Sequence, residues 1–157
     1  MDITRRCDYA FRILRKAYEN AGSVIAVSEI AKQENIPYSF ARSIQHDLVH
    51  AGFLETVRGV RGGLKLSCDP QTTTLYQLIC ALEGPVFLSA CSKDPSLCEN
   101  SDCCAYHKLW VGADQLLEAY FSSITLEGLL TQAEKHPVIK EARNFTFSSL
   151  SPQASNA

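Results

Sequence analysis

Long apolar runs are missing from this 157-residue chain. None approaches the roughly 20 residues that a membrane span needs, so no membrane partner is expected. The opening Met1-Asp2-Ile3-Thr4-Arg5-Arg6 lacks the apolar core of a secretory signal, and a cytoplasmic location is expected. A phosphate-cradling glycine loop, a cofactor fingerprint and a nucleophile–base pair are also missing, so the chain does not read as an enzyme. There are no internal repeats. Charge of one sign is not in excess overall, with a net value of −2. The two halves differ, however. Residues 1–70 carry ten Lys/Arg against eight Asp/Glu, whereas residues 71–157 carry five against nine. A mildly basic first half beside an acidic second half suits a nucleic-acid module joined to something else.

Cysteine, by contrast, is plentiful. Seven are present, and Cys91, Cys98, Cys103 and Cys104 fall in one short stretch. An odd count without a secretory signal argues against a disulfide framework. In a reducing compartment, clustered thiols bind metal or sense redox state. Thiolates are soft donors that suit thiophilic metals. Their wide spacing differs from the two-residue spacing of zinc knuckles. Cys7, Cys68 and Cys80 stand on apolar faces or at a strand end and read as small buried hydrophobes. His46 and His50 read as surface or DNA-facing residues, and no role is expected for His136.

The order of elements is legible from periodicity. Cys7, Ala10, Phe11, Leu14, Ala17 and Tyr18 mark one face of a first helix, ended by Gly22. Ser28 is expected to cap a second helix over Glu29–Glu34. After Asn35-Ile36-Pro37, a third helix is expected from Tyr38 to His50, with Phe40, Ala41, Ile44 and Leu48 inward and Ser39, Arg42, Ser43, Gln45 and His46 outward. Two alternating runs, Phe53–Arg58 and Leu64–Ser67, flank Gly59-Val60-Arg61-Gly62-Gly63 and read as a hairpin. Three helices and a hairpin in this order make a winged helix-turn-helix. Its third helix would enter the major groove and its wing would follow the backbone or minor groove. Ser39, Arg42 and Ser43 are the candidate base readers, and Arg58 and Arg61 the candidate wing contacts. A polar face with one arginine is ordinarily just a solvated face; two arginines at a glycine-rich wing tip argue for more.

Beyond Asp69-Pro70, Thr74-Leu75-Tyr76-Gln77 is a capping box opening a helix that ends at Gly84-Pro85. The cysteine stretch follows. A long amphipathic helix then carries Leu109, Ala113, Leu116, Leu117, Tyr120, Phe121 and Ile124, with Thr125 capping a last short helix. The first module closes on itself, so the long stripe is expected to pack on a second copy of the chain. The expected organisation is a DNA-binding module over 1–70, a helix, cysteine loop and dimerisation helix over 71–134, and a disordered tail over 135–157. The fold class is mainly α with one small β-hairpin.

Arg58-Gly59-x-x-Gly62-Gly63, the capped Thr74 helix, the cysteine loop, Trp110 and Ile124-Thr125-Leu126 together resemble the IscR/NsrR family of winged-helix iron–sulfur regulators, the Rrf-type regulators. Ile3-Thr4 and Asp8-Tyr9-Ala10 match as well, and the resemblance covers about residues 1–132. It implies a homodimer on a palindromic operator in double-stranded DNA. It also implies an iron–sulfur cluster on three loop cysteines and one further ligand. That ligand is a histidine in the iron–sulfur-biogenesis regulators, and Cys104-Ala105-Tyr106-His107 has the spacing. In the nitric-oxide-sensing relatives it is an acidic residue on the partner's first helix, where Asp8 stands here. The implied set is Cys91, Cys98, Cys104 and His107, with Cys103 and Asp8 as alternatives. The Cys104-x-x-His107 spacing favours a two-iron (2Fe-2S) over a four-iron (4Fe-4S) cluster, and Asp8 pulls the other way.

The chain departs from the pattern in places. Six residues separate Cys91 from Cys98 where five is usual, and a Cys103-Cys104 pair replaces one cysteine. Arg42 stands where the biogenesis regulators are acidic, which implies a different operator. Two other readings stay open: a cluster-free regulator that senses thiol oxidation or a small molecule, and a metalloprotein that never touches DNA.

Overall fold

The computed structural model describes residues 3–59 and 62–143. Thr4 opens α1 (Arg5–Glu19), its hydroxyl accepting from the Arg6 amide at 3.2 Å. The helix buries Cys7, Ala10, Ile13, Leu14 and Ala17. α2 spans Val27–Gln33 and α3 spans Tyr38–His50. β1 (Leu54–Val57) and β2 (Gly63–Leu66) pair antiparallel in the register Leu54↔Leu66 and Val57↔Gly63. These elements enclose the main core, which includes Ile13, Leu14, Ile30, Ile44, Leu48, Leu54 and Leu64. The winged helix-turn-helix read from the sequence is therefore present.

Two local expectations need correction. Ser28 does not cap α2; the helix begins at Val27 behind Ala26, and no side chain caps it. The cause lies in the wing. Ile25 bridges to Leu64, its N–H donating to Leu64 O at 3.1 Å and its carbonyl accepting from Leu64 N–H at 2.8 Å. The chain turns into the helix directly after that bridge. Phe40 is not inward either but 55% exposed. It stands in the first turn of α3, where only Ala41, Ile44 and Leu48 of that helix are buried.

α4 (Leu75–Glu83) has its capping box complete: Gln77 N–H donates to Thr74 Oγ1 at 3.3 Å, and Thr74 N–H donates to Gln77 Oε1 at 2.9 Å. Gly84, at φ +84°, ends the helix. Leu78 of α4 belongs to the main core, so that core continues past residue 70. On its other side, α4 joins a second cluster of Cys7, Ile79 and Val86, against which Leu117 and Phe121 pack. These two come from α6 (Ala105–Ser122), the longest helix. The start of α7 (Leu126–Gln132) is clamped to the start of α4, with Leu75 N–H donating to Ile124 O at 2.9 Å and Leu126 N–H to Thr73 O at 2.8 Å. Thr125 caps α7 as expected, accepting from Gly128 N–H at 3.1 Å.

The region read as tail from residue 135 is in part ordered. A turn of 3-10 helix over Ala133–Lys135 leads into α8 (Pro137–Arg143), and His136 is buried against Gly128. The remainder of the expected tail, 144–157, lies outside the described residues. Among the described residues, no helix is long and apolar enough to cross a membrane.

Candidate nucleic-acid interface and cysteine loop

Two surfaces carry the candidate functional residues. The first lies on α3 and the wing. Ser39, Arg42 and Ser43 are exposed on the first two turns of α3, and Arg58 is exposed just past β1. Arg61 lies outside the described residues. Arg42 and Arg58 line one groove between α3 and the wing, together with Gln45, Thr56, Gly59 and Gly62. Two guanidinium groups beside an open groove between a helix and a hairpin suit a phosphate backbone and base edges. Ser43 is not wholly free, because Arg6 of α1 donates to its Oγ at 3.5 Å and also pairs with Asp47. Gln45 is the residue that sequence reading left out of the site. Its Oε1 is buried between Arg42 and the wing without a hydrogen-bond partner among the described residues. Tyr38 and Phe40 are more than half exposed beside Ser39 and add apolar surface to this face.

The wing is held in place by backbone. Ion pairing of Lys65 with Glu55 at 2.7 Å joins its two strands on the outer face. The Ile25–Leu64 bridge ties its second strand to the body, and Gly63 lets the two backbones approach. A Cβ at Gly63 would stand 2.6 Å from Ile25 O.

The second surface is the cysteine stretch between α4 and α6. It contains more structure than its weak periodicity suggests. Ser89 caps a single turn, α5 (Ala90–Lys93), accepting from Ser92 N–H at 3.1 Å. Asp94 caps a 3-10 turn over Pro95–Leu97, accepting from Ser96 N–H at 3.1 Å and Ser96 Oγ at 2.6 Å. Cys91 sits on α5, Cys98 follows the 3-10 turn, Cys104 is the residue before α6, and His107 is in the first turn of α6. Cys91, Cys98 and Cys104 are half-buried, and Cys103 is exposed. His107 Nδ1 is buried with no hydrogen-bond partner among the described residues.

Three half-buried free thiols and an imidazole nitrogen without a partner fit a soft-metal or iron–sulfur donor set by their chemistry. The donors are not gathered, however. Among the described residues, no three Cys, His, Asp or Glu side chains are placed to hold one metal ion. Asp8 lies elsewhere. It pairs with Arg12 at 2.8 Å on an open groove of about 610 Å³ lined by Phe11, Arg15, Leu129 and Ile139, which none of the loop cysteines lines.

The other thiols divide by environment. Burial, then the charges of Glu83 and Asp8, push the Cys7 thiol up to about 11. At pH 8 only about a thousandth of it is thiolate, the reactive form. We expect iodoacetamide to label Cys103 and leave Cys7 unmodified in the native protein. Labelling of Cys7 at a comparable rate, read by peptide mass spectrometry, contradicts this packing. Cys68 packs at the edge of the main core, and burial raises its thiol as well.

The stripe assigned to the dimer separates into two faces of α6. Leu117 and Phe121 face inward onto the cluster around Ile79 and Val86, and Ile124, past the end of the helix, is fully buried. Leu117 and Phe121 thus have an intramolecular partner and keep part of their surface open. Leu109 and Leu116 face outward, 59% and 73% exposed, and Tyr106 (73%) and Trp110 (38%) join them. Tyr106, Leu109, Ala113, Leu116 and Tyr120 follow one another at alternating steps of three and four. That is the seam spacing of paired helices.

A three-helix core with a body-anchored wing, a cationic groove between them and an appended helix define a winged-helix transcriptional regulator. Residues 3–132 match the Rrf2 family, described as iron-dependent transcriptional regulators, and the chain belongs to that family. The helix-turn-helix transcriptional regulator IscR of Vibrio vulnificus strain YJ016 is 26% identical over 135 residues, covering 85% of this chain and 80% of that one. Among solved structures, CymR, the global cysteine regulator of B. subtilis, superposes with a TM-score of 0.70 at 24% identity over 85% of this chain and 98% of the other. IscR of T. potens does so with a TM-score of 0.68 at 20% identity over 87% and 91%. At these identities the structural likeness speaks to fold.

Proposed function

We propose that this regulator binds a palindromic operator as a homodimer and that chemistry at the cysteine loop sets its affinity, with repression as the default action. The observation that carries this reading is the position of the loop. It leads directly into α6, whose inner face packs on α4, and α4 in turn packs on α1 and α3. A shift of the loop therefore has a packed route to the reading helix. Two copies joined along Tyr106, Leu109, Ala113, Leu116 and Tyr120 would present two α3 helices to successive major grooves, and a small change in angle would spoil the fit of both. Ser39, Arg42 and Ser43 read bases in this account, and Arg58 and Arg61 hold the backbone.

Cys91, Cys98 and Cys104 would hold an iron–sulfur cluster with His107 as the fourth ligand, and Cys103 or the partner's Asp8 as alternatives. When bound, such a group supplies redox and ligand-exchange chemistry responsive to oxygen, nitric oxide or iron–sulfur status. The chain's own part is to present thiolates from capped turns and to keep His107 Nδ1 free of competing hydrogen bonds. We expect visible absorption and acid-labile sulfide in protein purified without oxygen. Colourless protein that takes up neither iron nor sulfide on reconstitution would leave the second reading. That reading is a regulator switched by oxidation of the loop thiols alone, and the exposure of Cys103 beside Cys104 favours it.

A further inference from the structure

Asp114 is the one buried residue of α6, at 9% exposure, and it carries a carboxyl group. A buried carboxylate is costly unless its oxygens are satisfied. One oxygen accepts a hydrogen bond from Leu88 N–H at 2.8 Å, and the other is buried with no hydrogen-bond partner among the described residues. A leucine at this position would pack without that penalty, so the bond to Leu88 is the observation to explain.

Leu88 lies directly before the cap of α5. Ser89 Oγ accepts from Ser92 N–H and lies 3.3 Å from Cys91 Sγ. Asp114, Leu88, Ser89 and Cys91 thus form a short strap from the middle of α6 to the first thiol of the loop. Cys104 and His107 sit at the start of that same helix. The segment around Cys98 and Cys103 is held differently. Its bonds stay inside the loop, Ser101 N–H donating to Cys98 O at 3.1 Å and Cys103 N–H to Asn100 O at 3.2 Å.

We propose that Asp114 is a positioning residue of the sensing loop. Its carboxylate straps the Leu88–Cys91 segment to α6, so that three candidate donors (Cys91, Cys104 and His107) ride on one helix and a change at the Cys91 sulfur pulls on that helix. The proposal deepens the sensing reading above and rests on it for its consequence, but the strap itself is readable in metal-free protein.

The test is the iodoacetamide labelling rate of each cysteine in full-length, metal-free protein and in the variants Asp114→Asn and Asp114→Ala. Asparagine keeps an acceptor for Leu88 N–H, and alanine removes it. We expect Asp114→Ala to raise the Cys91 rate about tenfold relative to Cys103 in the same molecules, the size of one lost charge-assisted hydrogen bond. Asp114→Asn should stay within about twofold, and Cys7 should stay unlabelled in both. An unchanged Cys91 in Asp114→Ala, equal effects of the two variants, or Cys7 and Cys91 rising together would each overturn the proposal. Hydrogen exchange in the unsubstituted protein gives a second reading: the Leu88 amide should exchange more slowly than the exposed Glu99 amide, and equal rates would overturn the strap. If the labelling behaves as expected while Asp114→Ala binds operator as the unsubstituted protein does in every state, the strap stands and the sensing reading fails.

Discussion

Gly63→Ala should cost about 3 kcal/mol of stability and detach the wing, because the added methyl has nowhere to go. Its Cβ would lie 2.6 Å from Ile25 O, 2.7 Å from the carbonyl carbon and 3.1 Å from Ala26 N. All three are backbone atoms, so no side chain can swing aside. Relief requires separating β2 from Ile25, which sacrifices the two hydrogen bonds of the Ile25–Leu64 bridge. Leu64, 1% exposed in the main core, would be pulled with them. Denaturant titration should show a lower midpoint, the signature of lost stability. Operator affinity should fall as well, since Arg58 rides on the displaced hairpin. A variant with unchanged midpoint would show that Ile25 and the wing are not in contact.

Arg42→Ala should reduce sequence discrimination, whereas Arg58→Ala should weaken binding to all sequences alike. Arg42 is exposed on the second turn of α3 and reads bases in this account; a bidentate arginine–guanine contact contributes about 1–3 kcal/mol of discrimination. Operator affinity should therefore drop about ten- to a hundredfold in Arg42→Ala while binding to scrambled DNA changes little. Arg58, on the wing, faces the phosphates in this account. Its loss should lower affinity for operator and scrambled DNA together and reduce the slope of log affinity against log salt by about one. Fluorescence anisotropy at several salt concentrations on both duplexes separates the two. The same loss on both duplexes in Arg42→Ala would make Arg42 a backbone contact.

Much of the fold was legible because its signals are local. The stripe Ala10, Leu14 and Ala17, the Thr74–Gln77 capping box and the paired runs around Gly59-Val60-Arg61-Gly62-Gly63 each depend on neighbours in sequence, and each is found in the structure. The errors arose where distant contacts decide. Ser28 has the right chemistry for a cap, but the Ile25–Leu64 bridge sets where α2 begins. Phe40 has the right spacing to be buried, but it stands on the open side of the first turn of α3, while Ala41 of the same turn packs in the core. Leu117 and Leu116 are adjacent apolar residues, and only the packing of α4 reveals that one is internal and the other exposed.

The candidate sites follow the same division. Cysteine clustering and the cationic wing are visible as residue types at a spacing. Gln45 and Asp114 are not, because a polar residue on an amphipathic helix reads as solvent-facing. Only the burial of Gln45 Oε1 beside the wing and the bond from Leu88 N–H to Asp114 set them apart. Whether the loop thiols converge is likewise beyond spacing, since it depends on how two capped turns fold between α4 and α6.

The central claim is that the state of the cysteine loop sets DNA affinity, and one comparison tests it directly. Operator affinity is measured by anisotropy on a single oxygen-free preparation, before and after iron and sulfide are stripped with chelator and reductant. If the loop controls the reading helices, the two affinities differ by about tenfold or more, within the usual range of coupling between two sites. Equal affinities in the two states, with iron loss verified, would contradict the account and leave a winged-helix regulator whose signal is read somewhere other than an iron-bearing loop.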